Sequence, residues 1–161
     1  MLARVCQVAR ERALTPAVMT FEPHPREYFA TLNHRPELAP TRISGLRDKL
    51  AALARYGVSQ VVVERFNARL AEMSANAFIE NLLVGGLNAK WLLVGEDFRF
   101  GHKRSGDIDL LREAGLRHGF EVQTLADVTD RHGHRISSSE VRTALAVGDL
   151  DRARHLLGHP Y

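Results

Sequence analysis

Short apolar runs alternate with amphipathic helical stretches along this whole chain, and that alternation constrains its fold more than any other feature. Ala17-Val18-Met19-Thr20-Phe21, Val58 to Val63, Trp91-Leu92-Leu93-Val94 and Phe120 to Leu125 read as strands. Leu2 to about Ala13 reads as a helix with Leu2, Val5, Cys6 and Ala9 on one face. A second helix, capped by Ser44 and ended by Gly57, carries Leu46, Leu50 and Leu53. A third opens at Ser74, carries Phe78, Ile79, Leu82 and Leu83, and stops at Gly85-Gly86. A fourth runs from Asp107 to about His118, and two short helices flank Gly148. Residues 26 to 42, with Pro36 and Pro40, read as irregular. Strands separated by helices imply a parallel sheet covered on both faces. The expected class is therefore α/β with a Rossmann-like parallel sheet. In such a sheet the first strand is usually central, yet this chain starts on a helix. The expectation is a sheet whose first, central strand is missing, with unpaired edges through which copies could associate.

The chain's 161 residues and 45% hydrophobic content fit one domain, 1–161, with a sizeable core. No apolar run approaches the roughly 20 residues that span a bilayer. With charges at Arg4, Arg10, Glu11 and Arg12, the first residues are not expected to form a signal peptide, and no membrane partner is expected. Cys6 is the only cysteine and cannot form an internal disulfide, which assigns the chain to a reducing cytoplasm. Its place on an apolar helix face predicts packing rather than chemistry. The formal charge is +3, but basic residues lie scattered among acids with no stripe or tail, so nucleic acid is not an expected partner. Only Lys49, Lys90 and Lys103 are lysines. The preponderance of arginine, whose planar fork matches phosphate, favours an anionic ligand only weakly, because it equally reflects genome base composition.

Two segments carry the chemistry. Val94-Gly95-Glu96-Asp97-Phe98-Arg99-Phe100-Gly101 ends the third strand with two carboxylates, a guanidinium between two phenyl rings, and a glycine on each side. Ligands bind beyond the carboxyl ends of strands in open α/β sheets, and aromatic faces beside hydrogen-bonding groups suit a flat heterocycle with polar edges. The competing reading is a loop whose two phenylalanines tuck into the core. In Ile136-Ser137-Ser138-Ser139-Glu140-Val141-Arg142, Ser137 and Glu140 have capping-box spacing, so a helix starts there. A helix start offers free N–H groups to an anion; the hydroxyls add donors, and Arg142 can fork onto phosphate oxygens. The competing reading is an ordinary capped surface helix. His132 and His134 read as solvated turn residues rather than metal ligands. Glu96 and Asp97 are metal candidates by charge alone, so the metal ligands are left open.

These segments resemble the adenylyltransferase domain of the bacterial bifunctional riboflavin kinase/FAD synthetase family. Thr20-Phe21-Glu22-Pro23-His24-Pro25 resembles its T-F-x-P-H-P segment. Val94 to Gly101 resembles its V-G-x-D-F-x-F-G loop, and Ile136 to Arg142 its I-S-S-T-x-x-R motif. Arg47-Asp48-Lys49-Leu50 and the closing Gly148-Asp149-Leu150 with Leu156 to Tyr161 also fit, so the similarity covers essentially the whole chain. The resemblance implies a Rossmann-like nucleotidyltransferase fold and transfer of AMP from ATP to FMN, giving FAD and pyrophosphate, with Mg2+ on the ATP phosphates. It implies that Pro23, His24, Pro25, Asp97, Phe98, Arg99, Phe100 and Gly101 hold the flavin. It implies that Ser137, Ser138, Ser139 and Arg142 hold the ATP phosphates; Ser139 stands where the family usually has threonine and keeps the hydroxyl. The family's G-x-F-D-G-x-H-x-G-H signature lies on the first strand and its turn, and this chain begins just beyond it. No catalytic residue is therefore assigned, and transfer by this chain alone is expected to be weak or absent. The kinase domain normally follows the closing segment, so kinase activity is not expected. The alternatives are a flavin- or nucleotide-binding module without chemistry, and a nucleotidyltransferase for another substrate. The Phe98/Phe100 pair argues against the latter.

Overall fold

The computed structural model describes residues 1–126, 128–130 and 135–161, so the expectation for His132 and His134 lies outside the described residues. Helix α1 (Leu2–Glu11) buries Cys6, Val8 and Ala9 and leads into strand β1 (Ala17–Glu22). Helix α2 (Pro25–Leu32) and a 3-10 turn at Pro36–Leu38 occupy the stretch read as irregular. The sequence reading missed α2 because its cap is a histidine. His24 Nδ1 accepts from the Arg26 N–H at 3.1 Å while the Glu27 carboxylate accepts from the His24 N–H at 3.3 Å. Pro25 fills the first helical position, where no N–H is required.

Helix α3 (Leu46–Arg55) starts after Gly45 rather than on a Ser44 cap. Strand β2 spans Gln60–Arg65, two residues later than the apolar pattern suggests. Val58 is drawn out of the strand because its N–H closes the end of α3 on Leu53 O. Its side chain packs on Cys6 and Leu53. The Cys6 thiol donates to Tyr56 O at 3.2 Å, so Cys6 is a packing residue as expected. After the short α4 (Ala68–Ala71), Ser74 Oγ accepts from the Ala77 N–H and caps α5 (Ala75–Phe78). The helix then continues as a π-helix over Ile79–Gly86, through both glycines that were expected to end it. Each helical glycine costs about 1 kcal/mol. Burying Ile79 and Leu83 on the inner face gains roughly 1.5–3 kcal/mol apiece and wins.

Strand β3 (Trp91–Gly95), a loop with a 3-10 turn at His102–Arg104, helix α6 (Ile108–His118) and strand β4 (Glu121–Leu125) follow. Helices α7 (Ser138–Ala146) and α8 (Leu150–Leu157) pack on each other at the chain's end. The main core gathers Phe78, Ile79, Leu83, Phe100, Leu111, Ala114 and Phe120, with Met19, Phe21, Leu92 and Val94 of the strands packed against it.

All described strand pairing is parallel, as the alternation predicts. β1 lies against β2 from Ala17 opposite Gln60 to Glu22 opposite Arg65. β3 lies against β4 from Trp91 opposite Glu121 to Gly95 opposite Leu125. Instead of one continuous sheet, the described residues form two two-stranded sheets. A cleft of about 600 Å³ is lined by Ala17, Val18, Met19 and Phe21 of β1 and by Trp91 to Val94 of β3. Every residue of β1 and β3 is only half-buried, unlike strands covered on both faces of a parallel sheet. Leu2, Val5, Val8 and Ala9 of α1 line the same cleft. Arg12 pairs with Glu121 at 2.8 Å and ties α1 to β4.

Candidate functional site

The carboxyl end of β1 turns sharply through a cis Glu22–Pro23 bond into α2. Arg42, from the segment before α3, grips this turn. Its Nε and Nη2 donate to the two Glu27 carboxylate oxygens at 2.7 and 2.6 Å, and Nη2 also donates to Glu22. A planar guanidinium matches a carboxylate bidentately; that hydrogen bonding holds the Glu27 carboxyl below its ordinary range and pushes the Arg42 guanidinium up. The His24 imidazole is held below its ordinary range, first by desolvation and then by the neighbouring cations Lys49, Arg142 and Arg26, against the opposing pull of Glu27.

The loop after β3 is pinned from two sides. Asp97, largely solvent-exposed, accepts from Arg135 at 3.2 Å, which ties the loop to the segment leading into α7. Arg99 pairs at 3.1 Å with Asp107, the cap of α6, whose side chain accepts from the Leu110 N–H. That backbone hydrogen bond, with Arg99 second to it, keeps the Asp107 carboxyl below its ordinary range. The two phenylalanines part company. Phe98 is half-buried and lines the cleft, whereas Phe100 is 6% exposed in the core, between Phe78 and Gly106. The rings stack on each other, 5.5 Å apart and 19° from parallel, so Phe100 supports the Phe98 ring from beneath. Gly101, at φ +73°, brings the chain against Ala75.

Ser137 caps α7, accepting from the Glu140 N–H at 3.3 Å. Only half of the capping box forms, because the Glu140 carboxylate instead accepts from Arg152 at 3.0 Å. Ser138 and Ser139 are exposed at the helix start. Arg142, one turn in, donates through Nε to Thr41 O at 2.7 Å.

The sites expected from sequence thus converge on one rim. Arg142 reaches the His24 turn and, with Lys49, Ser44 and the Glu22–Arg42–Glu27 clamp, lines a hollow of about 140 Å³. The Asp97–Arg135 pair joins the loop after β3 to the start of α7. Phe21 lines both the hollow and the larger cleft, so the two adjoin at the end of β1. Pro23 and Pro25 shape the turn, and Phe100 lies beneath the surface. The sequence reading missed Arg42 and Arg135. Neither sits in a periodic element, and each finds its carboxylate 15 or more residues away in the chain. Among the described residues, no group of three or more His, Cys, Asp or Glu side chains could hold a metal ion, and no helix is long and apolar enough to cross a membrane.

The FAD synthetase family model matches residues 1–140. The chain is 47% identical over 152 residues to a bifunctional riboflavin kinase/FMN adenylyltransferase of Escherichia coli, an alignment covering 94% of this chain and 47% of that protein. It is 42% identical over 160 residues to the protein of the same name from Pseudomonas fluorescens, covering 99% and 49%. It therefore spans about half the length of these relatives. Its fold is similar to that in the crystal structure of a macrolide-efflux protein from Streptococcus pneumoniae. That match has a TM-score of 0.76 and 28% identity, and covers 99% of this chain and 51% of that one.

Proposed function

Because the chain belongs to the FAD synthetase family, we propose that residues 1–161 act as its FMN adenylyltransferase domain, in the cytoplasm, moving AMP from ATP to FMN. The observation that carries the reading is the convergence, on one rim, of the turn after β1, the loop after β3 and the start of α7. These are the three segments that FMN and ATP would have to share.

In this reaction a terminal phosphate oxygen of FMN attacks the α-phosphorus of ATP in line. The new bond joins that oxygen to phosphorus, the bond to the β-phosphate breaks, and pyrophosphate leaves. Such a transfer asks the protein mainly to align its substrates and stabilise charge. In this reading Phe98, propped by Phe100, offers its ring to the isoalloxazine. Pro23, His24 and Pro25 wall the flavin, while Asp97, Arg99 and Gly101 set the loop's shape and polar edge. Ser137, Ser138, Ser139 and the α7 N–H groups receive phosphate oxygens, and Arg142 forks onto them. Magnesium in this reading travels with the ATP phosphates, as that ion usually does.

We also infer that an extended segment belongs in the cleft between β1 and β3, as the central strand of a Rossmann-like nucleotidyltransferase sheet. The apolar lining, the half-burial of both strands and the parallel pairing on either side support this. While that place is open, the facing edges of β1 and β3 are where copies of the chain would associate.

The test is direct. Purified chain is titrated with FMN by flavin fluorescence, then incubated with FMN, ATP and Mg2+ and analysed for FAD. Saturable FMN binding that Phe98→Ala weakens at least tenfold is the expected result. FAD formation assigns the chemistry to this chain, and binding without FAD leaves it a flavin-binding module. If neither FMN nor ATP binds, the proposal fails.

A further inference from the structure

The hollow at the carboxyl end of β1 has an unbalanced lining. Arg42, Lys49 and Arg142 supply three cations, Glu22 and Glu27 two carboxylates. Both carboxylates are taken by Arg42. Lys49 Nζ has a single hydrogen bond, a long one of 3.4 Å to Thr20 Oγ1, and pairs with no carboxylate among the described residues. Arg142 spends Nε on Thr41 O at 2.7 Å, which fixes the guanidinium plane and leaves its Nη donors without a carboxylate among the described residues. Both side chains are half-buried. Desolvation first, and then the same two cations, hold the His24 imidazole below its ordinary range, which disfavours its charged form in this hollow. At about 140 Å³ the hollow has room for one phosphate group.

We propose that Lys49 and Arg142 together form a subsite for one phosphate group of the bound nucleotide, Arg142 as a planar fork and Lys49 as a point charge. The inference rests on the adenylyltransferase reading above and adds Lys49 as a binding residue, on a different element from the serine-rich helix start. The phosphate can come from the flavin nucleotide or from ATP, and the two sources are separable.

The experiment compares wild type, Lys49→Met and Lys49→Arg in two ligand pairs, FMN against riboflavin and ATP against adenosine. Thermal midpoints of all three proteins are recorded alongside. Removing one charged hydrogen-bond donor should weaken the phosphorylated member of one pair at least tenfold. The unphosphorylated member should stay within twofold, and Lys49→Arg should restore most of the loss. The pair that responds names the source of the phosphate. Loss of riboflavin or adenosine binding in parallel, or no discrimination by Lys49→Met in either pair, overturns the subsite. Failure of wild type to bind either flavin overturns the flavin reading instead, and the ATP arm still decides Lys49.

Discussion

Replacing Gly101 by alanine tests whether the loop after β3 is held where the structure places it. Two costs combine. At φ +73° and ψ 175° Gly101 sits in a backbone region essentially reserved for glycine, and an L side chain there costs roughly 1–3 kcal/mol. The new Cβ would also lie 2.7 Å from both Cα and N of Ala75 and 3.0 Å from its Cβ. Two of those atoms are backbone at the start of α5, so no side chain can swing aside. The loop cannot simply lift away, because the next N–H, that of His102, donates to Met73 O at 2.7 Å. Overpacking of this kind costs typically 1–3 kcal/mol. Gly119 supplies a milder comparison: at φ +75° and ψ 38° it is in the ordinary left-handed helical region, and a Cβ there meets nothing within 4 Å. Urea denaturation should therefore show Gly119→Ala losing about 1–2 kcal/mol and Gly101→Ala about 2–6 kcal/mol, with matching m-values. Gly101→Ala should also bind FMN more weakly, while Gly119→Ala binds normally. Equal destabilisation by the two, within about 0.5 kcal/mol, would refute the close approach to Ala75 and the loop geometry built on it.

Two further outcomes follow from the same structure. Leu111 is fully buried, so Leu111→Ala should cost about 2–5 kcal/mol in the same denaturation assay. A loss below about 1 kcal/mol would mean the core between α6 and the π-helix is not closed as described. His24 titrates below its ordinary value of 6.5 in the fold, so below that pH the unfolded chain binds more protons than the folded one. Its contribution is therefore intact above the ordinary value and shrinks as pH falls toward the folded one. Protonation of Nδ1 also removes the acceptor that caps α2. Thermal midpoints measured between about pH 5 and 8 should fall on acidification, and less steeply in His24→Asn, which keeps a side-chain acceptor at the cap. An identical slope in the variant would exclude His24 as the titrating group.

What the sequence disclosed here followed a physical pattern. The strands were legible because apolar runs such as Trp91 to Val94 carry their own signature. Pairing was legible as parallel because helices intervene. Local capping at Ser74, Asp107 and Ser137 was legible for the same reason: donor and acceptor lie within one turn. Long-range partners were not. Glu140 reads as the return arm of a capping box until Arg152 claims its carboxylate. Val58 reads as strand until the end of α3 takes its N–H. The octet Val94–Gly101 left two readings open, and the structure divides them between its rings, placing Phe100 in the core and Phe98 on the cleft. Arg42, which organises the turn after β1, was invisible because no spacing rule links residue 42 to Glu22 and Glu27.

The Arg42 clamp has one more consequence. Thr41 carries the carbonyl that Arg142 grips, and its neighbour Arg42 holds the turn after β1. Two adjacent residues thus form a strap between the helix start assigned to one substrate and the turn assigned to the other. Under the proposed assignment, this strap is a route by which a ligand that reorients Arg142 would act on the flavin side, and the reverse. Thermodynamic linkage makes any such effect reciprocal: whatever factor FMN confers on the affinity for ATP, ATP must return to FMN. Either order of addition then reaches a ternary complex of the same final stability.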